Sequence, residues 1–226
     1  MAGYYDETLA ADRLRRVYET APPRVRRYLD AEIAHVRERI RPGDSLLELG
    51  CGYGRALARL AGEARIAAGV DTSIASLRAG AAFLAGRASS RLAAMNGVAL
   101  GFADGVFDLV CCIQNGISAF HEDRRELARE AVRVTRPGGT VLFSSYADGF
   151  WEDRLAWFEL QARDGLIGEI DSERTRRGVI VCRDGFTATT ISPDEFRALA
   201  EGLGLSARVT EVDGSSLFCE IVRPVR

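Results

Sequence analysis

The first 43 residues carry a hydrophobic pattern that is typical of two helices. In the second helix, apolar positions recur three and four residues apart: Val25, Tyr28, Leu29, Ile33, Val36 and Ile40. Pro22-Pro23 precede this run and Pro42-Gly43 follow it, which predicts where the helix begins and ends. A shorter helix is predicted before it. We therefore expect residues 1–43 to form a helical N-terminal arm.

From residue 44 onward, short apolar runs alternate with helical patterns. Helices are predicted at residues 55–61, after the capping residue Ser73, and at residues 123–135. Strands that alternate with helices form a parallel sheet with helices on both faces, so we expect an α/β fold with a doubly wound sheet across residues 44–147. Strands are predicted at five places: residues 45–49, 64–70, 91–95, 107–113 and 140–146.

The segment 148–191 interrupts this alternation. Apolar residues at helical spacing predict a helix that begins near Trp151. Asp184-Gly185 then lies between two β-like runs, and this dipeptide is a strong signal for a tight hairpin turn. We expect an inserted helix and β-hairpin that form a lid.

The C-terminal segment 192–226 predicts one helix and two strands. Ser192-Pro193-Asp194-Glu195 reads as a capping box with proline at the first helical position. The strands at 206–212 and 217–223 are joined by Asp213-Gly214, which predicts an antiparallel hairpin. These strands complete a mostly parallel seven-stranded sheet, and we expect residues 1–226 to form one domain.

Composition excludes several kinds of chemistry. The formal net charge of −2 argues against nucleic-acid binding through overall charge. All 30 basic residues are arginine, so a Schiff-base lysine, a P-loop lysine and a lysine base are excluded. Arginines are frequent in the N-terminal arm. They indicate either a solvated helix face or a basic docking surface.

Cysteine usage predicts a reduced, cytoplasmic protein without a bound metal. The five cysteines form no C-x-x-C pair and are accompanied by only two histidines, which argues against structural zinc. Asp6 and Glu7 lie where a signal peptide would be apolar, so no leader is expected. No apolar run reaches the ~18 residues of a membrane span, and we expect no membrane partner.

The strongest candidate site is the glycine-rich segment at residues 48–54, which follows the first predicted strand. Glycines allow a sharp turn and close approach of a ligand, and ligands of open α/β sheets bind at the carboxyl ends of the strands. Asp71 ends the next strand, where a carboxylate can accept both ribose hydroxyls. A dinucleotide fingerprint would need glycine at position 55, which is Arg55. The ligand is therefore not expected to be a dinucleotide.

Four segments resemble, in order, motifs of the class I S-adenosylmethionine-dependent methyltransferases. They are residues 48–54, Asp71, residues 102–110, and the turn Arg136-Pro137-Gly138-Gly139. The resemblance runs from about residue 44 to residue 222. It implies a Rossmann-like sheet that ends in an antiparallel hairpin. It also implies S-adenosyl-L-methionine as the cofactor and S-adenosyl-L-homocysteine as its product.

The resemblance further implies the residues that bind the cofactor. Asn96 occupies a position where many relatives have an aspartate that accepts from the adenine amino group, and an amide oxygen can accept the same bond. Gln114 would face both the methionine end and the acceptor. The full set is Glu48, Gly50, Cys51, Gly52, Gly54, Asp71, Thr72, Asn96, Gly97 and Gln114.

The resemblance implies a small-molecule acceptor, bound under the inserted segment. His121 is the candidate general base, because it follows the fourth strand, and a base is needed only if the acceptor keeps its proton. Substrate contacts are expected from Tyr5, Tyr146, Trp151 and Arg183.

Two alternatives stay open. The chain is either a methyltransferase that acts on RNA or protein through its basic arm, or a non-catalytic S-adenosylmethionine-binding regulator. The sequence is compatible with a monomer or a homodimer.

Overall fold

The computed structural model describes residue 4 and residues 8–87, 89–120 and 122–225. A seven-stranded sheet has the order β3-β2-β1-β4-β5-β9-β8. Strands β1 to β5 run parallel, β9 pairs antiparallel with β5, and β8 pairs antiparallel with β9 and so runs in the direction of β1 to β5. This confirms the predicted fold class. The strands are β1 Ser45–Leu49, β2 Ile66–Asp71, β3 Ser90–Ala94, β4 Phe107–Cys112, β5 Thr135–Tyr146, β8 Ala207–Val212 and β9 Ser216–Val222, and a separate hairpin consists of β6 Val179–Val181 and β7 Thr187–Thr189.

The helices begin where capping residues predict. The Ser73 hydroxyl accepts a hydrogen bond from the Ser76 amide, and Ser192 and Glu195 form the predicted capping box. A 3-10 turn, Asp148–Phe150, leads into the inserted helix. The helices are α1 Ala11–Glu19, α2 Pro23–Arg37, α3 Leu57–Leu60, α4 Ile74–Phe83, α5 Gly116–Ala119, α6 Arg124–Val134, α7 Trp151–Arg163 and α8 Pro193–Glu201. In the part of the chain that the structure describes, no helix is long and apolar enough to span a bilayer.

Two elements differ from the sequence prediction. The predicted helix at 55–61 contains only the four residues of α3. Strand β5 begins at Thr135 rather than residue 140, because the Arg136-Pro137-Gly138-Gly139 segment is extended. There the Gly138 amide donates to the carbonyl of Arg223, and the Arg223 amide donates to that of Gly139. Pairing with the chain beyond β9 therefore holds as strand a segment whose composition suggests a turn.

The core consists of two apolar layers on the sheet and a third cluster beyond its carboxyl edge. One layer packs α6 and α8 on the sheet, and the other packs α2 and α3 on the opposite face. The third cluster joins α1 and α2 to the inserted segment through residues such as Val17, Tyr28, Trp157 and Phe186. The N-terminal arm and the insertion therefore pack together above the carboxyl ends of the strands.

Candidate active site

A cavity of about 750 Å³ follows the carboxyl ends of the parallel strands. Asn96 lies beyond β3, Asp71 ends β2, Gly50–Gly52 follow β1, Gln114 follows β4, and Tyr146 ends β5. Because the sheet order is β3-β2-β1-β4-β5, these residues line the cavity from one end to the other. A cavity at this edge is where open α/β sheets bind ligands.

The glycine turn after β1 is fixed by Asp71. Gly50 and Gly52 adopt left-handed φ values of +70° and +53°. The Gly52 amide donates to Asp71 Oδ2 at 2.8 Å, and the Ser73 amide donates to Oδ1 at 2.8 Å. A Cβ on Gly52 would lie 2.9 Å from Leu14 Cδ2. The turn therefore needs glycine both for its backbone conformation and for the close approach of α1.

A carboxylate and a guanidinium face the cavity beside this turn. Glu48 is 5% exposed, and its Oε2 has no hydrogen-bond partner among the described residues. Burial raises the pKa of Glu48 to about 8, although the nearby Arg55 charge acts in the opposite direction. The Arg55 guanidinium lies 4.2 Å from the Tyr18 ring centroid. Its Nε and Nη2 likewise find no acceptor in the described chain. Burial therefore favours the neutral form of Glu48 near neutral pH, and the pair offers a ligand one carboxyl oxygen that can accept a hydrogen bond and one cationic donor group.

The loop after β4 is strained. Gln114 and Asn115 both adopt left-handed φ values, +57° and +60°, which non-glycine residues seldom do. The Asn115 amide group donates to the carbonyl of Thr189, and its Oδ1 accepts from the Ser145 hydroxyl at 2.8 Å. The loop is thus tied to β5 and to the inserted hairpin.

Glu32 of α2 ties the same loop from the opposite side. Its Oε2 accepts from the Gln114 amide at 2.5 Å and the Ser144 hydroxyl at 3.0 Å, and its Oε1 accepts from Ser216 at 2.8 Å. The side chain is fully buried, and burial raises the pKa of Glu32 to about 7. Our sequence prediction missed Glu32. The available signal was its position on the buried face of α2, three residues after Leu29.

The β3 end of the cavity contains a second amide. Asn96 Nδ2 donates to Glu122 Oε1 at 3.0 Å, and Asn96 Oδ1 accepts from the Val98 amide at 3.1 Å. Asn96, Glu122 and Thr72 all line the cavity. The Asn96 oxygen proposed for adenine therefore already accepts one backbone hydrogen bond.

Four aromatic side chains line the β5 end of the cavity, and we call them the aromatic wall: Tyr28, Tyr146, Trp157 and Phe158. Gln161 of α7 lies among them and is 2% exposed. Arg154 lies behind the wall, with its guanidinium carbon 4.3 Å from the Tyr146 ring centroid and its Nη2 donating to the Ala188 carbonyl. Of these residues, our sequence prediction named Tyr146 as a substrate contact.

The structure brings most of the predicted cofactor residues together. Glu48, Gly50, Cys51, Gly52, Asp71, Thr72, Asn96 and Gln114 line the cavity. Gly54 and Gly97 are placed beside other side chains instead. A Cβ on Gly54 would meet Leu84, and one on Gly97 would meet Phe120. These two glycines permit close packing beneath the site.

The predicted substrate and catalytic residues are scattered. Tyr5 and His121 lie outside the described residues, so their roles stay predictions. Trp151 packs against the cluster between the arm and the insertion, without lining the described cavity. Arg183 is 66% exposed, with Nη1 3.5 Å from Glu169 Oε2, because it lies on the outer side of the hairpin turn. Neither Trp151 nor Arg183 reaches the cavity in this structure, contrary to our expectation.

Metal ligation has no support in the described residues. No group of three or more His, Cys, Asp and Glu side chains there could hold a metal ion. The site's polar groups are instead hydrogen-bonding and charged groups suited to an organic ligand.

Comparison with known proteins gives a family and a fold. Residues 46–139 match the family described as a methyltransferase domain. An arsenite methyltransferase from Aquipseudomonas alcaligenes is 31% identical over 205 residues, which cover 79% of this chain and 57% of that protein. A demethylmenaquinone methyltransferase from Corynebacterium urealyticum is 33% identical over 106 residues, covering 47% and 43%. The chain thus spans about half the length of these curated relatives.

A solved structure agrees in fold. A SAM-dependent methyltransferase from Methanosarcina mazei matches with a TM-score of 0.64 at 17% identity, over 85% of this chain and 98% of that one. Residues 46–139, which match the methyltransferase family, contain three of the motifs noted in the sequence: the glycine turn, Asp71 and the Arg136–Gly139 segment. The chain belongs to the class I S-adenosylmethionine-dependent methyltransferase family.

Proposed function

We propose that this chain transfers a methyl group from S-adenosylmethionine to a small-molecule acceptor. The observation that carries the proposal is the cavity, where Glu48 Oε2 and the Nε and Nη2 atoms of Arg55 find no partner among the described residues, beside a glycine turn. When bound, the cofactor supplies an electrophilic methyl group on a sulfonium. Its zwitterionic amino-acid end fits Glu48 and Arg55, because one side chain offers an acceptor and the other offers donors.

The rest of the cofactor fits the β1–β3 side of the cavity. Asp71 ends β2 and lines the cavity, as a residue that accepts from ribose hydroxyls must. Asn96 and Glu122 offer polar groups beyond β3, where the base would lie. Gly50 and Gly52 line the cavity and give the turn its left-handed backbone conformation.

We expect the protein to contribute mainly by positioning the two reactants, and the role of His121 as a base stays a prediction. Residues of the arm and the insertion pack together and line the cavity, which would fix the two reactants next to each other. Orientation alone can supply about 7–11 kcal/mol of the barrier reduction when it is fully realised. The strained Gln114 loop, held by Glu32 and Asn115, lies where the two reactants would meet.

A small acceptor is favoured over RNA or protein by the contacts of the arm's arginines. Arg13 donates to the carbonyls of Gly165 and Leu166, and Arg24 donates to Asp213. Side chains engaged within the protein are poor candidates for a docking surface. The names of the curated relatives, arsenite and demethylmenaquinone methyltransferases, also indicate small acceptors for those proteins.

Calorimetry with S-adenosylhomocysteine tests the cofactor site. The protein should bind it, and Asp71→Ala should weaken binding about ten- to a hundredfold through the lost charged hydrogen bonds. Asp153→Ala, an exposed change on α7, is the matched control and should leave the affinity unchanged. NAD should bind at least ~100-fold more weakly, because Arg55 replaces the glycine of a dinucleotide turn.

Unchanged affinity of the Asp71→Ala protein would remove Asp71 from the site. Equal binding of NAD would refute the cofactor assignment. Turnover is tested with radiolabelled S-adenosylmethionine on a broad panel of acceptors that includes arsenite, phenols, carboxylic acids, amines and tRNA. Cofactor binding without any transfer would favour a regulator, and transfer only to tRNA would favour the macromolecular alternative.

A further inference from the structure

We propose that the acceptor is a largely apolar molecule that presents a hydrogen-bond-accepting oxygen and carries no positive charge. The inference rests on the proposed function, because it concerns the part of the cavity that the cofactor leaves to the acceptor. It follows from the position of that part in the sheet, the side chains that line it, and the charge behind them.

The acceptor part lies at the β4–β5 end. The glycine turn follows β1 and Asp71 ends β2, so we expect the cofactor at the β1–β3 end of the cavity. Gln114 follows β4 and therefore separates the two regions. The remaining volume is bounded by β5, by the N-terminal arm and by α7. The entire cavity, about 750 Å³, is within the ~300–1,000 Å³ typical of small-molecule sites.

The lining of this region favours an apolar molecule. The aromatic wall supplies four rings, and Leu9, Val17 and Leu29 add aliphatic surface from the arm. The Tyr28 and Tyr146 rings lie at 37° to each other with centroids 5.3 Å apart, and the Trp157 and Phe158 rings lie at 78° with centroids 5.9 Å apart. The Trp157 indole donates to the Val17 carbonyl, which fixes its ring. Rings held at these angles offer both faces and edges to an apolar or aromatic ligand.

The buried polar atoms of this region that lack a partner among the described residues can all donate hydrogen bonds. Gln161 Nε2 and Gln114 Nε2 are buried, and neither finds an acceptor within the described residues. An unpaired buried N–H is costly, so native proteins usually satisfy it, often with a ligand. Two amide donors among aromatic rings fit a carbonyl, carboxylate, phenol or phenolate oxygen. They do not fit an ammonium group, which has only donors itself.

The positive charge of Arg154, behind the aromatic wall, also disfavours a positively charged acceptor. Arg154 is 1% exposed and keeps its charge at any physiological pH, with its guanidinium over the Tyr146 ring. A cation placed against the opposite side of the wall would be repelled in this poorly screened interior. The nearby Glu32 carboxylate accepts three hydrogen bonds from the protein and does not line the cavity.

Three isosteric probes test the inference: 2-naphthol, 2-naphthoate and 2-naphthylmethylammonium. Calorimetry first establishes S-adenosylhomocysteine binding, and each probe is then titrated into the saturated protein. Naphthol or naphthoate should bind, and the ammonium probe should bind at least about tenfold more weakly than the better of the two. Failure of S-adenosylhomocysteine to bind would refute the proposed function itself, before any probe is added.

Variants at Gln161 test how much its N–H donor, as distinct from the surrounding apolar surface, contributes to binding of the probes. Gln161→Met should weaken the better probe about three- to tenfold by removing one neutral hydrogen bond. Gln161→Glu should invert the order and favour the ammonium probe. Glu159→Gln, an exposed change on the same helix, should alter nothing. Thermal unfolding monitors folding of each variant, and Gln161→Met suffices if Gln161→Glu does not fold.

Three results would overturn the inference once S-adenosylhomocysteine binding is established. One is binding of the ammonium probe as tight as that of the others. Another is a Gln161→Met protein with unchanged affinity for naphthol and naphthoate. The third is failure of all three probes to bind the saturated protein.

Discussion

Glu32 makes the stability of this protein depend on pH in an unusual direction. Its carboxyl group is fully buried in α2, and burial raises its pKa from an ordinary 4.5 to about 7. Between these values the folded protein keeps a proton on Glu32 that the unfolded chain has released. Stability therefore falls as the pH rises through this interval.

The structure supplies a magnitude and a suitable variant. The difference between 4.5 and about 7 corresponds to about 3 kcal/mol when the group is ionised in both states, and to about 2–3 kcal/mol between about pH 5 and about pH 8. Glu32→Gln removes the titration. Its amide oxygen still accepts from the Gln114 N–H, and its NH₂ group donates to a serine hydroxyl oxygen at Ser144 or Ser216.

Urea unfolding of the wild type and the variant at both pH values is the measurement. We expect the variant's stability relative to the wild type to rise by about 2–3 kcal/mol from about pH 5 to about pH 8. Glu48 and the other carboxyl groups titrate in both proteins, so their contributions cancel. Glu38→Gln, an exposed change at the end of α2, should give the same difference at both pH values. A pH-independent difference for Glu32→Gln would show that Glu32 is not a buried titrating group.

Three further predictions follow from the site. Gly52→Ala should weaken S-adenosylhomocysteine binding in calorimetry, because the added Cβ would lie 2.9 Å from Leu14 Cδ2. Gly86 also has a left-handed backbone conformation, and Gly86→Ala is the control: it should cost about 1 kcal/mol of stability and leave binding unchanged. Asn115→Asp should destabilise the protein by about 1–3 kcal/mol, because it loses the amide donor to the Thr189 carbonyl. Amide hydrogen exchange in β6 and β7 should become faster, and unchanged exchange would contradict a role of Asn115 in holding this hairpin. The native protein should react with an aromatic disulfide reagent far more slowly than the urea-unfolded chain, because burial raises the pKa of all five thiols; fast native labelling would contradict it.

The sheet and its caps could be predicted because their signals are local. Apolar runs of strand length, Ser73 at one helix start and the Ser192–Glu195 capping box each depend on neighbouring residues alone. The glycine turn and Asp71 could be predicted for the same reason, since each immediately follows or ends a strand. The start of β5 could not be predicted from local sequence, because pairing with residue 223 beyond β9 overrides the turn propensity of proline and glycine.

The acceptor end could not be predicted because its residues come from distant parts of the chain. Gln161 meets the cavity only because α7 packs against the N-terminal arm, and Glu32 reaches Gln114 across 82 positions of sequence. The exposed Arg183 illustrates the converse error. A charged residue beside a predicted hairpin turn gives no sign of which side of the hairpin faces the site.

The N-terminal arm connects the two halves of the cavity. Leu14 of α1 lies against Gly52 of the glycine turn, while Val17 of the same helix accepts from the Trp157 indole of the aromatic wall. Arg13 donates to two carbonyls just beyond α7, and Tyr4 donates to Asp184 in the inserted hairpin at 2.6 Å. One helix therefore packs against both the glycine turn and the inserted segment. A displacement of α1 away from Trp157 would also change its packing against Gly52.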